Sequence, residues 1–261
     1  MIIIKKFFEY IGIIGICLLS FYYTEKVALY VKNKNPIMKS IKDLKDTLDV
    51  GYIDSTIIDD IYIIPGLNGQ ELNANRSFSN MQEKSVYDKS KLVFNEVRPV
   101  ISIEDNKDKI IIRGNKEKNS VSLIFENVNN LSKYLHQNNY KVNVLINSED
   151  YDLNYELIND SNSDKIYNNI ETFLTKNKVN KNICYIKSDE IPKNCKNKYL
   201  FKPSLIINHS NISTEKNKIS SGEIILIKDS ITLTELNIIL NQIKYQDLKI
   251  VPLSELISEN N

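Results

Sequence analysis

Apolar positions along the chain fall into three regimes. The first is an N-terminal run: Lys5 and Lys6 precede an uncharged stretch from Ile11 to Tyr23, "IGIIGICLLSFYY". Spanning a bilayer core takes about 20 apolar residues, a length reached only when Phe7, Phe8 and Tyr10 are counted. Glu9 then lies at the cytoplasmic interface, where a charge is tolerable. Ser20 is followed by "FYYTEK" rather than by the small residues of a cleavage site. The run therefore predicts an uncleaved, single-pass membrane anchor over 1–34, with Tyr22 and Tyr23 as an outer aromatic belt. The competing reading is an amphipathic or buried N-terminal helix. Lys5 and Lys6 place the bulk of the chain outside the cytoplasm, although Lys26, Lys32 and Lys34 weaken that bias.

The second regime, 35–118, mixes periods. Ile37, Ile41, Leu44 and Leu48 recur at helical spacing after Pro36. Two short apolar runs follow, broken by turns at Pro65-Gly66 and Asn68-Gly69. Residues 77–96 read as a short helix with loops, and "RPVISI" and "DKIIIRG" read as strands. This predicts a small mixed α+β region.

From 119 to 261 the rhythm becomes strand, helix, strand. Apolar runs at 120–125, 142–147, 183–187, 204–208, 223–228 and 249–251 predict strands. Helices are expected at 129–138, near 152–159, at 166–178 and at 232–245. The last carries Leu233, Leu236, Leu240 and Ile243 in register, with Thr232 and Glu235 as a capping box. Continuous apolar strands alternating with helices imply a parallel α/β sheet, covered on both faces or closed into a barrel. Chemistry in such folds sits at the carboxyl ends of the strands, where Glu126 and Lys228 fall.

Composition narrows the functions. Of 261 residues, 42% are hydrophobic and 26% charged, enough for a real core, and the net charge of +1 offers no basic field for nucleic acid. Cys17 lies inside the apolar run. Cys184 and Cys195 flank a Lys/Asn-rich loop, and either close a disulfide in an oxidising compartment or stay as buried thiols. No second Cys or His pair completes a zinc site.

Between 119 and 257 the sequence resembles the polysaccharide deacetylases, the NodB-homology or carbohydrate esterase 4 family. "VSLIFEN" is similar to the family's first motif, an apolar strand ending in Phe-Asp-Asp-Gly. "SGEIILIKDSITLTELNIILNQIKYQDLKIVPLSELI" resembles its closing segment, in which a strand ends in Leu-x-His before a helix, a short strand and a Leu-Ser-Glu-Leu-like helix. "LSKYLHQNNYKVNVLI" is similar to the helix and the Ala-Thr-Phe-Phe strand between them. "SFYYTEK" and "IIPGLNG" resemble short, membrane-anchored, divergent deacetylase-like proteins of bacteria. The resemblance implies an irregular (β/α) barrel of the polysaccharide-deacetylase type, preceded by the small mixed region and the transmembrane helix.

In that family a divalent metal polarises the N-acetyl carbonyl and activates water. By position the general base falls on Glu126, a metal-binding Asp on Asn127, and the general acid on Lys228. The His-Ser/Thr-x-x-His metal pair has no counterpart near "LINDSNSDKIYNN". The chain has two histidines, His136 and His209. "HSNIS" at 209–213 begins like the metal motif but comes several strands late, with Ser213 where the second His belongs. A displaced base alone costs about 10²–10⁴ in rate, and losing the Lewis acid adds several kcal/mol. The expectation is a degenerate site holding no metal and no other cofactor. Glu126 and Lys228 then form an ion pair, Asn127 and Asp229 give weak substrate contacts, and the asparagines at 127, 129 and 130 act as turn and cap residues.

Three functions follow. The first is an inactive, membrane-anchored extracytoplasmic protein that binds cell-envelope glycan or an envelope partner. The second is an active hydrolase of N-acetylated glycans with a rearranged site, using Glu126 and Lys228 with Asp229 or Glu149. The third is a structural or assembly protein whose interaction surface lies in 35–115.

Overall fold

The computed structural model describes residues 2–83, 86–146, 155–160, 182–228 and 231–260. The chain separates into two compact units, one of residues 1–51 with 70–97 and one of residues 52–69 with 98–261.

In the first unit, α1 (Ile2–Lys34) is a 33-residue helix. The stretch Tyr10–Lys34 is long and apolar enough to cross a membrane, and none of its most apolar window is buried. The anticipated helix after Pro36 divides into α2 (Pro36–Asp43), capped by the Asn35 side chain, and α3 (Lys45–Leu48). Met38 and Ile41 of α2 pack with Phe78 and Met81 of α4 (Ala74–Gln82) in a small core of their own.

The second unit is built on one sheet. Its strands are β1 (Thr56–Ile58), β2 (Tyr62–Ile64), β5 (Ile110–Ile111), β6 (Ser120–Phe125), β7 (Asn143–Ile146), β8 (Glu156–Asp160), β9 (Ile183–Tyr185), β10 (Tyr199–Phe201), β11 (Leu205–Ile207), β12 (Ile224–Ile227) and β13 (Lys249–Ile250). The remaining two, β3 (Gly69–Leu72) and β4 (Phe94–Val97), form a separate pair. The path runs β1-β2-β5-β10-β9-β8-β7-β6-β12-β11, with β13 added to β6; every ladder is parallel except β1 with β2. Helices α5 (Ser132–Gln137), α6 (Ile212–Glu215), α7 (Leu233–Tyr245) and α8 (Leu253–Ile257) complete the unit.

Side chains alternate across the sheet because successive Cβ atoms point to opposite faces. Val121, Leu123 and Phe125 of β6, with Ile225 and Ile227 of β12, meet Leu236, Ile239, Leu240 and Ile243 of α7. Ile124, Ile224 and Leu226 face the other way. They share one cluster with Ile63, Ile111, Leu145, Ile158, Ile183, Tyr185 and Phe201, and with Leu253, Leu256 and Ile257 of α8. A flat sheet cannot bring β2 and β12 into one cluster. The sheet curls round a filled interior, with α8 as its plug, giving a barrel-like α/β fold. At the start of β7 the buried Asn143 donates to Ser122 Oγ (2.7 Å) and Leu123 O (2.8 Å) and accepts from Leu253 N (2.8 Å), tying β6, β7 and α8 together.

Four expectations are corrected. The division at 118/119 is not where the contacts separate the chain, because 52–69 and 98–118 supply β1, β2 and β5 to the barrel sheet. "RPVISI" is not a strand: Ile101 N donates to Asp54 Oδ1 and Ile103 N to Glu259 Oε1, so side chains take the donors a ladder would use. Residues 156–160 form β8 rather than a helical end, paired with β7 and with Leu157 and Ile158 buried. Leu233, placed in register on α7, is instead 43% exposed at the helix start. The capping box of Thr232 and Glu235 is present. Cys184 and Cys195 form a disulfide with a Cα–Cα distance of 5.7 Å, both residues fully buried. The helix expected at 166–178 lies outside the described residues.

Candidate functional site

The register of the central strands sets the mouth. Phe125 pairs with Ile227, so β6 and β12 end at one level, while β7, paired through Val144, runs two residues further to Ile146. One residue further, Glu126 N donates to Ile227 O at 3.0 Å and Lys228 N donates to Ile207 O at 3.0 Å. These bonds carry both chains past the strand ends before they turn. The side chains emerge side by side, and the Lys228 ammonium donates to Glu126 Oε1 as an ion pair. Neither is deeply buried, with side-chain exposures of 22% for Glu126 and 37% for Lys228.

Such a pair contributes about 0–1 kcal/mol, because water screens it and ordering a long side chain opposes it. Lys228→Met is therefore expected to lower stability by less than about 1 kcal/mol, read by urea denaturation followed by circular dichroism. A loss above 3 kcal/mol would mean the pair is desolvated.

Asn127 and Val128 are half-buried beside the pair. Asp229, and Glu149 of the rearranged-site reading, lie outside the described residues. Both histidines are engaged elsewhere. His136 stacks on Tyr155 with ring centroids 4.8 Å apart. His209 follows β11 and is 72% exposed, with Nδ1 against a Glu235 carboxylate oxygen. The backbone N–H of Thr232 holds Glu235 below the usual carboxylate range, aided by the Thr232 hydroxyl and His209. His209 thus supports the cap of α7. The sequence signals the cap, while the strand crossover that delivers His209 to it has no local signal. Ser213 sits in α6.

No family model and no curated protein matches the chain. Solved structures do. The crystal structure of wild-type BA3943 from Bacillus anthracis, described as a CE4 family pseudoenzyme, superposes with a TM-score of 0.58 at 18% identity, covering 86% of this chain and 95% of that one. A BA3943 mutant aligns with a TM-score of 0.59, covering 86% of this chain and 98% of its own. A further mutant, described as having restored enzymatic activity, aligns equally well. The fold is that of the carbohydrate esterase 4 deacetylases.

That fold implies a divalent metal at the strand mouth, and the residues here do not fit one. Among the described residues no group of three or more His, Cys, Asp or Glu side chains could hold an ion. An ammonium already occupies Glu126, where a cation would need the carboxylate, and like charges this close repel strongly. Asn127 brings no charge. Among the described residues, this mouth presents a carboxylate compensated by an ammonium and a neutral amide.

Proposed function

We propose that the chain is a single-pass, membrane-anchored extracytoplasmic protein whose deacetylase-fold domain does not hydrolyse N-acetyl groups and instead binds cell-envelope glycan. One observation carries this reading: Lys228 is paired with Glu126 at the positions where the family resemblance puts the general acid and base. A lysine at the acid position replaces the imidazole, the side chain suited to general acid–base exchange near neutral pH. The similarity to BA3943, itself described as a pseudoenzyme, supports the same reading. The buried Cys184–Cys195 disulfide supports an oxidising compartment, and the exposed apolar face of α1 supports anchoring.

The experiment is acetate release from chitin oligomers and peptidoglycan by the full-length protein in nanodiscs, with Zn²⁺, Ni²⁺ or Co²⁺ supplied. Release at the level of heat-treated protein, together with retention on peptidoglycan, is expected. Metal-dependent acetate release would show an active hydrolase. Absence of both release and retention would leave an envelope protein as the partner.

A further inference from the structure

The outer helical layer carries a second concavity, unrelated to the strand mouth. It opens where α5 and α7 end, with about 470 Å³ of free volume. Both helices stop in the same way. Asn139 (φ 53°) and Asp247 (φ 54°) adopt the left-handed conformation. The next residue donates back in each case, Tyr140 N to Leu135 O and Leu248 N to Ile243 O, both at 3.1 Å. This is the hydrogen-bond pattern of a Schellman close. The two turns thereby bring Tyr140 and Leu248 into the lining of one groove.

The lining is polar, and its charged residues, Lys141, Lys244 and Asp247, stand exposed beside a larger set of tyrosines and asparagines. The rings of Tyr134 and Tyr140 lie 6.3 Å apart at 33°. The Tyr134 hydroxyl donates to Asn237 Oδ1 at 2.6 Å, which orients that amide with its N–H groups left to donate. Asn138 and Asn241 add exposed amides on either side. Burial raises the Tyr140 hydroxyl above its ordinary pKa, so it remains a neutral donor. Amides and phenols both give and accept hydrogen bonds, as sugar hydroxyls do. Leu240 and Leu248 supply apolar wall for the C–H faces of a ring. The volume corresponds to about sixteen waters at ~30 Å³ each, enough for one or two pyranose rings. Helix α7 has 13 residues, so the groove sits roughly 20 Å along its axis from the capped end near the mouth.

We propose that this groove binds a neutral saccharide of one or two rings, independently of whatever the strand mouth contacts. Saturation-transfer NMR with N,N′-diacetylchitobiose and with maltose, on the full-length protein in nanodiscs, tests it. Transfer to at least one sugar is expected, weakened at least tenfold by Asn241→Ala and by Tyr140→Phe and unchanged by Lys228→Met. Tyr140→Phe keeps the ring, so its unfolding midpoint should stay at the wild-type value. No transfer to either sugar would overturn the proposal. So would transfer lost on Lys228→Met but kept in both groove variants, a result that would place glycan at the mouth alone.

Discussion

Deleting residues 2–34 is expected to move the protein from the membrane pellet to the soluble fraction, completely rather than partly. Helix α1 has 33 residues, about 50 Å at 1.5 Å per residue, against a hydrocarbon core of about 30 Å. Its apolar side chains are exposed in the folded chain: Ile13, Ile16, Leu18 and Phe21 are 57%, 69%, 65% and 77% exposed. Seven Ile, Leu and Phe residues between 11 and 21, at about 0.3–0.6 kcal/mol each, favour insertion by about 2–4 kcal/mol before the aromatic belt is added. The two tyrosines expected in that belt lie together, with Lys26 4.7 Å from the Tyr22 ring centroid and Tyr23 edge-on to Tyr22. Carbonate extraction of the full chain and of the deletion distinguishes the cases. Full-length protein released by carbonate would exclude a spanning helix. Protease added to intact spheroplasts should digest residues 40–261 if the bulk lies outside.

The second large effect concerns the barrel. Gly222→Ala is expected to cost about 3 kcal/mol or more, combining a left-handed backbone with a core clash. Gly222 has φ +87°, and a Cβ there would stand 2.5 Å from Gly114 O. That oxygen cannot retreat, because Gly114 N donates to Gly222 O (2.8 Å) while Gly222 N donates to Ser120 O (2.7 Å). The contact locks the segment before β6 to the turn before β12, and so sets the register that places Glu126 beside Lys228. Gly51→Ala is the control, since a Cβ there meets nothing within 4 Å, and it should change stability by less than about 0.5 kcal/mol. Equal denaturation midpoints for the two variants would refute this packing.

Which features were legible in the sequence follows from how local each one is. β12 announces itself as an uninterrupted apolar run, and β6 as one broken only by the small Ser120 and Ser122, because both faces of a parallel strand are buried. Helix α7 announces itself through its period and its Thr232–Glu235 box. The ion pair of Glu126 and Lys228 was legible only through the family resemblance, which aligned two strand ends about a hundred positions apart. "YELIND" lacks any such marker: with Leu157 and Ile158 adjacent and both buried, periodicity cannot separate a short strand from a helix end. "RPVISI" misleads for the opposite reason, since its apolar residues are strand-like while its backbone donors are claimed by Asp54 and Glu259. The strands β1, β2 and β5 join the barrel by pairing across long stretches of chain, so their assignment to a separate region could not be corrected locally. The Cys184–Cys195 bond needed the parallel neighbours β9 and β10 to bring the loop ends together.

Among the described residues, the strand mouth offers no ligand set for a divalent ion. Isothermal titration of chelator-treated, full-length protein with Zn²⁺, Ni²⁺ and Co²⁺ tests it most directly. No stoichiometric site is expected, with the same weak heats for wild type and Glu126→Gln. One ion bound per chain, with binding lost in Glu126→Gln, would contradict it.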